Sequence, residues 1–329
     1  MSATNIKSLY ELSKQEDGLL IIKKCIEWGI LEEELECPNC KKNMIIRRDV
    51  QRIDGYKWVC RGTIKIKGKK PRKCNFSQCL RKGTFFAKFN LQLWQILGFV
   101  LLWTRNVPSS ALMIEVEISK NTAVDWGSFC REVAFHAISE QKEKIGGEGH
   151  VVQIDESKFG KRKYNRGKRV EGQWVFGGID VGTGHCFMDA VEDRSSRTLI
   201  PILEKYVLPG TTVVSDLWKA YDCLEERGFH HLTVNHSLSF KDPVTGAHTN
   251  NIEASWNAVK TALPRYHRKK AFFPGYLAKY LFLKGCKSQG KNPFIEFCKA
   301  AGSLYKPENK MVMEQDVEID EEIEEVDFN

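Results

Sequence analysis

The sequence has no apolar run long enough to cross a bilayer. Its longest, Leu91 to Trp103, covers 13 residues and already contains Gln92 and Gln95, whereas a spanning helix needs about 20. The N-terminus, MSATNIKSLYELSKQEDG, has no apolar core of the kind a secretion signal carries, so synthesis and residence inside the cell are expected. No internal repeat is evident. Acids are scarce from Lys41 to Phe85, where fifteen Lys or Arg face only Asp49 and Asp54. Bases are missing at the other end: none follows Lys310, while nine acids run from Glu314 to Asp327. A basic middle points to a polyanionic partner, and the acidic end reads as a solvated tail. Eleven cysteines in a chain without an export signal point away from disulfides, toward thiols or metal.

The 329 residues suggest two or three domains. Residues 1–36 read as short helices, with Ser13 and Glu16 as a capping box and Leu19, Leu20, Ile22, Ile26 and Trp28 as the buried stripe. Residues 37–86 are cysteine-rich and basic. Residues 87–145 carry a helical pattern, broken at Asn106-Val107-Pro108 and again at Glu117-Ile118-Ser119. The Gly-rich stretch EKIGGEGH is the expected boundary to a domain over 146–305, and 306–329 is the acidic tail.

Within 146–305 the order of elements is regular. HVVQIDES, QWVFGGIDVGT and HCFMDAVED read as three strands with a turn at Gly182-Thr183-Gly184. A helix from Arg197 to Val207, a strand TTVVSD, a helix from Leu217 to Arg227, a short strand HHLTVN and a helix from Asn251 to Leu263 follow. An antiparallel meander followed by alternating helices and strands predicts an α/β domain with one mixed sheet. It is the element order of the ribonuclease H-like fold.

That order brings three carboxylates into question. Asp155 lies in the first strand, Asp216 at the end of the fourth and Glu253 on the last helix. Asp216 suits a helix cap, and Glu253 an ordinary first-turn acid. Asp155 is odder, because alternation cannot bury both Ile154 and Asp155 on one dry face. Gathered within a few ångströms, the three would repel unless a cation joined them. Oxygen-only ligands suit Mg²⁺ or Mn²⁺, and two such ions about 4 Å apart serve phosphodiester chemistry. Glu156, Asp180 and Asp189 are rival acids that periodicity does not eliminate.

IDESKFGKRKYNRGKRVEGQWVFGGID, VVSDLWKAY and HTNNIEASWNAVK resemble the signature blocks of DDE transposases of the Merlin superfamily and of related bacterial insertion-sequence transposases. The resemblance spans about residues 37–285. It implies that Asp155, Asp216 and Glu253 are the catalytic acids, holding two Mg²⁺ or Mn²⁺ ions. It also implies hydrolysis at transposon ends followed by attack of the freed 3′-hydroxyl on target DNA.

CPNC, at Cys37 and Cys40, is half of a structural zinc knuckle. Cys60 and Cys74 are expected to complete a zinc ribbon, with RGTIKIKGKKPRK as an insertion between them and Cys79 as the reserve fourth ligand. Six further thiols, Cys25, Cys130, Cys186, Cys223, Cys286 and Cys298, sit in apolar surroundings and read as core. KIKGKKPRK, with Lys69, Lys70, Arg72 and Lys73, can contact phosphates and resembles a nuclear-localisation cluster. A second basic run follows Asp155, comprising Lys158, Lys161, Arg162, Lys163, Arg166, Lys168 and Arg169, and is assigned to DNA phosphates. SSALMIEVEISKNTAVDWGSFCREV fits a helix-turn-helix with Lys120, Asn121 and Thr122 at the start of the recognition helix, or two packed helices that touch no DNA. His236 and His248 bracket the loop before Glu253; each suits a phosphate, a ligand carboxylate, or a loop position with no catalytic duty. Arg265, His267, Arg268, Lys269 and Lys270 add to the basic surface.

The expectation is an intracellular DNA transposase, nuclear in a eukaryote and cytoplasmic in a bacterium. It would act on DNA as a dimer or higher oligomer, without membrane attachment. The alternatives are a domesticated transposase-derived protein that binds DNA without strand transfer, and a metal-dependent nuclease.

Overall fold

A computed structural model describes residues 5–64, 70–87, 90–141, 143–160, 172–235, 246–263 and 270–306. The chain forms two compact units. One takes the chain up to Ser119 and again from Phe294, and the other is Lys120–Pro293.

In the first unit, helix α1 (Ile6–Lys14) starts at Asn5, whose side chain accepts the Ser8 N–H while Ser8 Oγ accepts the Asn5 N–H. The capping box foreseen at Ser13 and Glu16 does not form. Ser13 lies inside α1 and donates to the Tyr10 carbonyl, and Glu16 takes a left-handed backbone (φ 49°) in the tight turn before α2 (Leu19–Glu27). The face that α2 buries is Ile21, Ile22 and Cys25, continued by Trp28. Strands β1 (Ile45–Arg48) and β2 (Tyr56–Val59) pair antiparallel; a two-stranded ribbon joins β3 (Thr63–Ile64) to β4 (Arg72–Lys73); and β5 (Ser77–Cys79) pairs with the other edge of β2. Beside them Arg81 and Asp54 form a bidentate ion pair at 2.7 and 2.5 Å, both side chains buried. Helix α3 (Leu93–Thr104) is buried almost all round, and Asn106 (φ 58°) ends it. Helix α4 (Ser109–Glu115) is ended in turn by Glu117 (φ 55°). Both breaks fall where the sequence places them.

The second unit opens with α5 (Lys120–Ser139). The Gly-rich EKIGGEGH lies inside this unit, not at its edge: β6 (Ile145–Gly146) pairs parallel with the later β10. Strands β7 (Val151–Phe159), β8 (Gln173–Asp180) and β9 (Cys186–Val191) form the antiparallel meander. Helix α6 (Ser196–Tyr206), β10 (Val207–Leu208), β11 (Thr212–Asp216) and β12 (His230–Val234) follow. The five main strands form one mixed sheet, ordered β12-β11-β7-β8-β9, with β12, β11 and β7 parallel. The helix expected from Leu217 to Arg227 is replaced by two short 3-10 turns, Lys219–Tyr221 and Glu225–Arg227. The Trp218 N–H turns back onto Asp216 Oδ1 at 3.1 Å, leaving Trp218 extended, and Gly228 closes the segment in a left-handed conformation (φ 82°).

Alternation along the strands sorts the residues onto two faces. Val152, Ile154 and Phe176 pack with Leu199, Leu203 and Tyr221 on the α6 side. Phe159, Val175 and Met188 pack on the other side with α7 (Asn250–Ala262) and α8 (Phe273–Ser288), through Ile252, Trp256, Phe273 and Leu277. Helix α5 packs on α8, and the Arg131 guanidinium lies 5.1 Å from the Tyr276 ring. After α8, helix α9 (Pro293–Leu304) carries the chain back into the first unit, where Phe297 meets Phe85 and Trp103 edge-on. Gly302 is needed there, because a Cβ would lie 1.8 Å from the Gly29 carbonyl oxygen.

Candidate active site and candidate metal centre

Asp155 belongs to the sheet face that α7 covers. On β7 the residues of that face are Gln153, Asp155 and Phe159, while Ile154 points to the α6 side. On β11, Val213 joins the α6-side core, and Val214 packs with Val234 and Ala247 instead. Two residues beyond Val214, Asp216 therefore shares the Asp155 face. The strands pair in parallel up to Val214↔Gln153, a register that, continued by two residues, brings Asp216 level with Asp155.

Glu253 is in the first turn of α7, and two contacts tie that helix to β7. Gln153, 1% exposed, accepts the backbone N–H groups of Asn251 (2.9 Å) and Ile252 (3.2 Å) through Oε1. One turn later the Trp256 indole N–H donates to Asp155 Oδ2 at 2.9 Å. Gly177 makes this possible. It stands opposite Asp155 on β8, and a Cβ there would lie 2.8 Å from the far edge of the Trp256 ring. The Thr249 hydroxyl donates to Glu253 Oε1 at 2.9 Å.

Electrostatics register the crowding. Burial pushes the Asp155 carboxyl up to about 6; the charges of Asp216 and Glu253 add to the shift, and the Glu156 and Trp256 N–H groups oppose it. Glu156 is pushed up to about 8, by burial first and then by Asp155 and Asp216. It lies on the opposite face, where the Tyr221 hydroxyl donates to it and Arg194 stands 3.8 Å away. The Arg194 guanidinium lies 4.4 Å from both the Trp174 and the Trp218 ring. Of the other rival acids, Asp180 accepts the Gly182 and Thr183 N–H groups and bonds His150, pinning the β8–β9 turn. Asp189 receives a long 3.4 Å bond from Tyr206.

In the first unit Cys37, Cys40, Cys60 and Cys74 bring their sulfurs within 4.8 Å of one another. Among the described residues this is the one group of three or more His, Cys, Asp or Glu side chains so gathered; Asp155, Asp216 and Glu253 are spread more widely. The Cys37–Cys74 and Cys40–Cys60 sulfurs are 3.6 and 3.2 Å apart. Four thiolates at about 2.3 Å from a tetrahedral zinc would stand about 3.8 Å apart, so the cluster is compatible with a structural metal such as zinc. Gly62 supports the fit: its N–H donates to Cys60 Sγ at 3.2 Å, and a Cβ would fall 2.5 Å from Cys40 Sγ. Burial works to raise the Cys37 thiol, but hydrogen bonds with the Cys40 and Asn39 N–H groups and with the Cys60 and Cys74 thiols together bring it down to about 7. Cys79 pairs with Lys57 across β5 and β2, outside the cluster.

Of the basic residues, Lys70, Arg72 and Lys73 are exposed, the last two on β4. Lys120 and Asn121 are exposed at the start of α5, and Lys158 lies 5.3 Å over Trp174. Lys69, Lys161, Arg162, Lys163, Arg166, Lys168, Arg169, His236, Arg265, His267, Arg268 and Lys269 lie outside the described residues, as does the acidic tail. No described helix is long and apolar enough to cross a membrane. Sequence reasoning passed over Gln153, Gly177, Trp256 and Gly62. Only Trp256 carried a local signal, three residues from Glu253 on a helix.

Residues 144–283 match the ISXO2-like transposase domain. A transposase-like protein of Haemophilus influenzae is 31% identical over 107 residues, covering 32% of this chain and 80% of that protein. A chain in the structure of a simian T-cell lymphotropic virus intasome, in complex with PP2A regulatory subunit B56 gamma, aligns over 63% of this chain and 67% of its own length. It does so at 13% identity and a TM-score of 0.24, a likeness too slight to carry weight. The matched segment runs from the strand before Asp155, through Asp216 and Glu253, to α8. The chain belongs to the ISXO2-like transposase family.

Proposed function

We propose that the chain is a DNA transposase of the DDE type. Asp155, Asp216 and Glu253 would be the acids of a ribonuclease H-like domain that cuts phosphodiester bonds at transposon ends and transfers the 3′-hydroxyls to target DNA. One observation carries this reading. Asp155 and Asp216 share a sheet face at parallel neighbouring strands, and the helix bearing Glu253 is hydrogen-bonded to that face on either side of it. The sheet order β12-β11-β7-β8-β9, with a meander and two parallel additions, supports the fold assignment.

The carboxylates suit hard divalent cations. They are oxygen donors, and the Asp155 carboxyl is raised by burial first and then by the charges of Asp216 and Glu253, both of which a bound cation would offset. Asp155, Asp216 and Glu253 would together hold the two Mg²⁺ or Mn²⁺ ions. When bound, such ions supply an activated water or 3′-hydroxyl and steady the leaving oxygen. The protein's own task is orientation. Trp256 and the Glu156 N–H hold Asp155, Thr249 holds Glu253, and Gln153 keeps the helix seated.

DNA would be held by phosphate contacts from Lys70, Arg72, Lys73, Lys120, Asn121 and Lys158, and by the basic residues around Lys69 and from Lys161 to Arg169. The cysteine cluster would be a zinc ribbon over 37–86, and α4 with α5 a helix-turn-helix; both would serve recognition of the ends. Synapsis of two ends calls for a dimer or larger assembly, acting wherever the host keeps its DNA.

The test is a plasmid carrying the terminal repeats that flank this gene around a marker, incubated with protein and Mg²⁺. Excision and joining by wild type, abolished in Asp216→Ala with DNA binding retained, is the expected result. An Asp216→Ala protein that cuts at the wild-type rate overturns the acid assignment. Binding without cutting in both Mg²⁺ and Mn²⁺ leaves a DNA-binding protein only, and cutting without joining leaves a nuclease.

A further inference from the structure

Gln153 does more than seat α7. Its side chain lies between the first turn of that helix and His248, whose Nδ1 is 3.2 Å from Gln153 Nε2. The orientation of the amide follows from its partners. Backbone N–H groups only donate, so the atom facing Asn251 N and Ile252 N must be the carbonyl oxygen. The NH₂ group is thereby aimed at His248, and because it too only donates, Nδ1 must be the acceptor. A neutral ring accepting at Nδ1 carries its proton on Nε2. Among the described residues Nε2 has no partner, and the residue is partly exposed. His248 directly precedes Thr249, which holds Glu253. The result is an N–H donor with a fixed tautomer, one residue before the Thr249 that bonds Glu253, on a chain segment that Gln153 also anchors.

We infer that His248 contacts DNA as a neutral imidazole, its Nε2–H donating to a phosphodiester oxygen near the carboxylate centre, and that Gln153 sets this tautomer. The phosphate contact rests on the transposase reading; the tautomer does not. Gln153 is a positioning residue acting through His248.

The test has two arms, both on the full chain. In the first, the protein is labelled with ¹⁵N-histidine, and the His248 signals among the eight histidines are identified by their loss in His248→Asn. Two-bond proton–nitrogen spectra should show the neutral Nε2–H form in wild type. Gln153→Glu still accepts the Asn251 and Ile252 N–H groups but cannot donate to Nδ1, so the ring proton should move to Nδ1. A wild-type ring protonated at Nδ1, or a Gln153→Glu spectrum unchanged from wild type, overturns the tautomer assignment.

In the second arm, cleavage of and affinity for a terminal-repeat duplex are measured beside Mn²⁺ binding without DNA. His248→Ala should lower cleavage or affinity on the order of tenfold to a hundredfold, as expected for a hydrogen bond to a charged group, with Mn²⁺ binding unchanged. His248→Gln, which restores an N–H near the Nε2 position, should recover part of the loss. Wild-type DNA affinity and cleavage in His248→Ala overturn the phosphate contact. A wild type that cuts nothing sinks the transposase reading instead; the spectra and the fall in DNA affinity then still decide this inference.

Discussion

Trp256 donates its indole N–H to Asp155 at 2.9 Å across the helix–sheet interface, into space left by Gly177 on the adjoining strand. Trp256→Phe keeps an aromatic ring, smaller than the indole, and removes the donor. Hydrogen bonds to charged groups contribute about 1.5–3 kcal/mol, so Mn²⁺ affinity at pH 7, read by calorimetric titration, should fall about tenfold or more. The Asp155 carboxyl should rise further above its present value of about 6. Affinity within twofold of wild type would show that the bond does not hold the carboxylate in its working position.

Gly177→Ala tests the same contact from the other side. The added methyl meets a rigid ring edge at 2.8 Å, and overpacking of this kind costs about 1–3 kcal/mol. The loss should be visible as a lowered urea midpoint, and an unchanged midpoint would mean that the ring moves aside freely.

Glu156 gives the metal-free protein a pH dependence of known sign. Its carboxyl is raised from an ordinary 4.5 to about 8, by burial first and then by Asp155 and Asp216. Between those values the folded protein keeps a proton that the unfolded chain has lost. Stability therefore falls as pH rises through that window. Glu156→Gln imitates the protonated group and should flatten the decline between pH 5 and pH 8, measured by urea unfolding in a chelator. Equal slopes in the two proteins would rule Glu156 out as the source.

The cysteine cluster predicts one tightly held metal ion per chain. Ser at position 37, 40, 60 or 74 should each remove it, whereas Cys79→Ser should leave the metal content unchanged. Gly62→Ala should weaken binding by crowding Cys40. Structural zinc supplies on the order of 10 kcal/mol or more to small ribbons, comparable with the whole stability of a domain. Chelation should accordingly unfold the β1–β2–β5 sheet. Elemental analysis with far-UV circular dichroism reads both effects, and full metal content in Cys74→Ser with loss in Cys79→Ser would exchange their roles.

The buried Arg81–Asp54 pair is the corresponding weak point away from any metal. Removing one partner of a buried ion pair costs about 3–5 kcal/mol. Asp54→Ala should lower the melting temperature far more than Asp49→Ala, whose partners Arg52 and Lys57 are more exposed. Equal effects would show that burial adds nothing to the pair.

Much of the second unit was legible because strands and helices leave strong periodic traces. The outer two strands of the meander, the two parallel additions and α7 fall within about two residues of the positions read from HVVQIDES, HCFMDAVED, TTVVSD, HHLTVN and Asn251 to Leu263, while β8 ends at Asp180, inside the stretch QWVFGGIDVGT. The helix expected after Asp216 was not, because its outcome turns on one backbone bond. Once the Trp218 N–H is spent on the Asp216 carboxylate, the next turn starts late and closes as a 3-10 helix. The Ser13 capping box failed because α1 runs through Ser13, and the next helix starts only after Glu16, Asp17 and Gly18 have turned the chain in left-handed conformations. The cysteine spacing was informative because a two-residue knuckle leaves little geometric freedom. Gln153 and Gly177 were illegible as support, because what they support is remote along the chain. Gln153 meets Asn251 across a separation of 98 residues, and Gly177 makes room for a ring that arrives only with α7.

The return of α9 to the first unit has a consequence for synthesis. A ribosome releases the N-terminal segment first, yet Phe85 and Trp103 wait for Phe297, and Gly29 waits for Gly302. Lys120–Pro293 is complete in sequence before those partners emerge. The segment translated first is thus the one whose core closes last, and a transcript cut short after Pro293 would yield a complete second unit attached to an unfinished cysteine-bearing one.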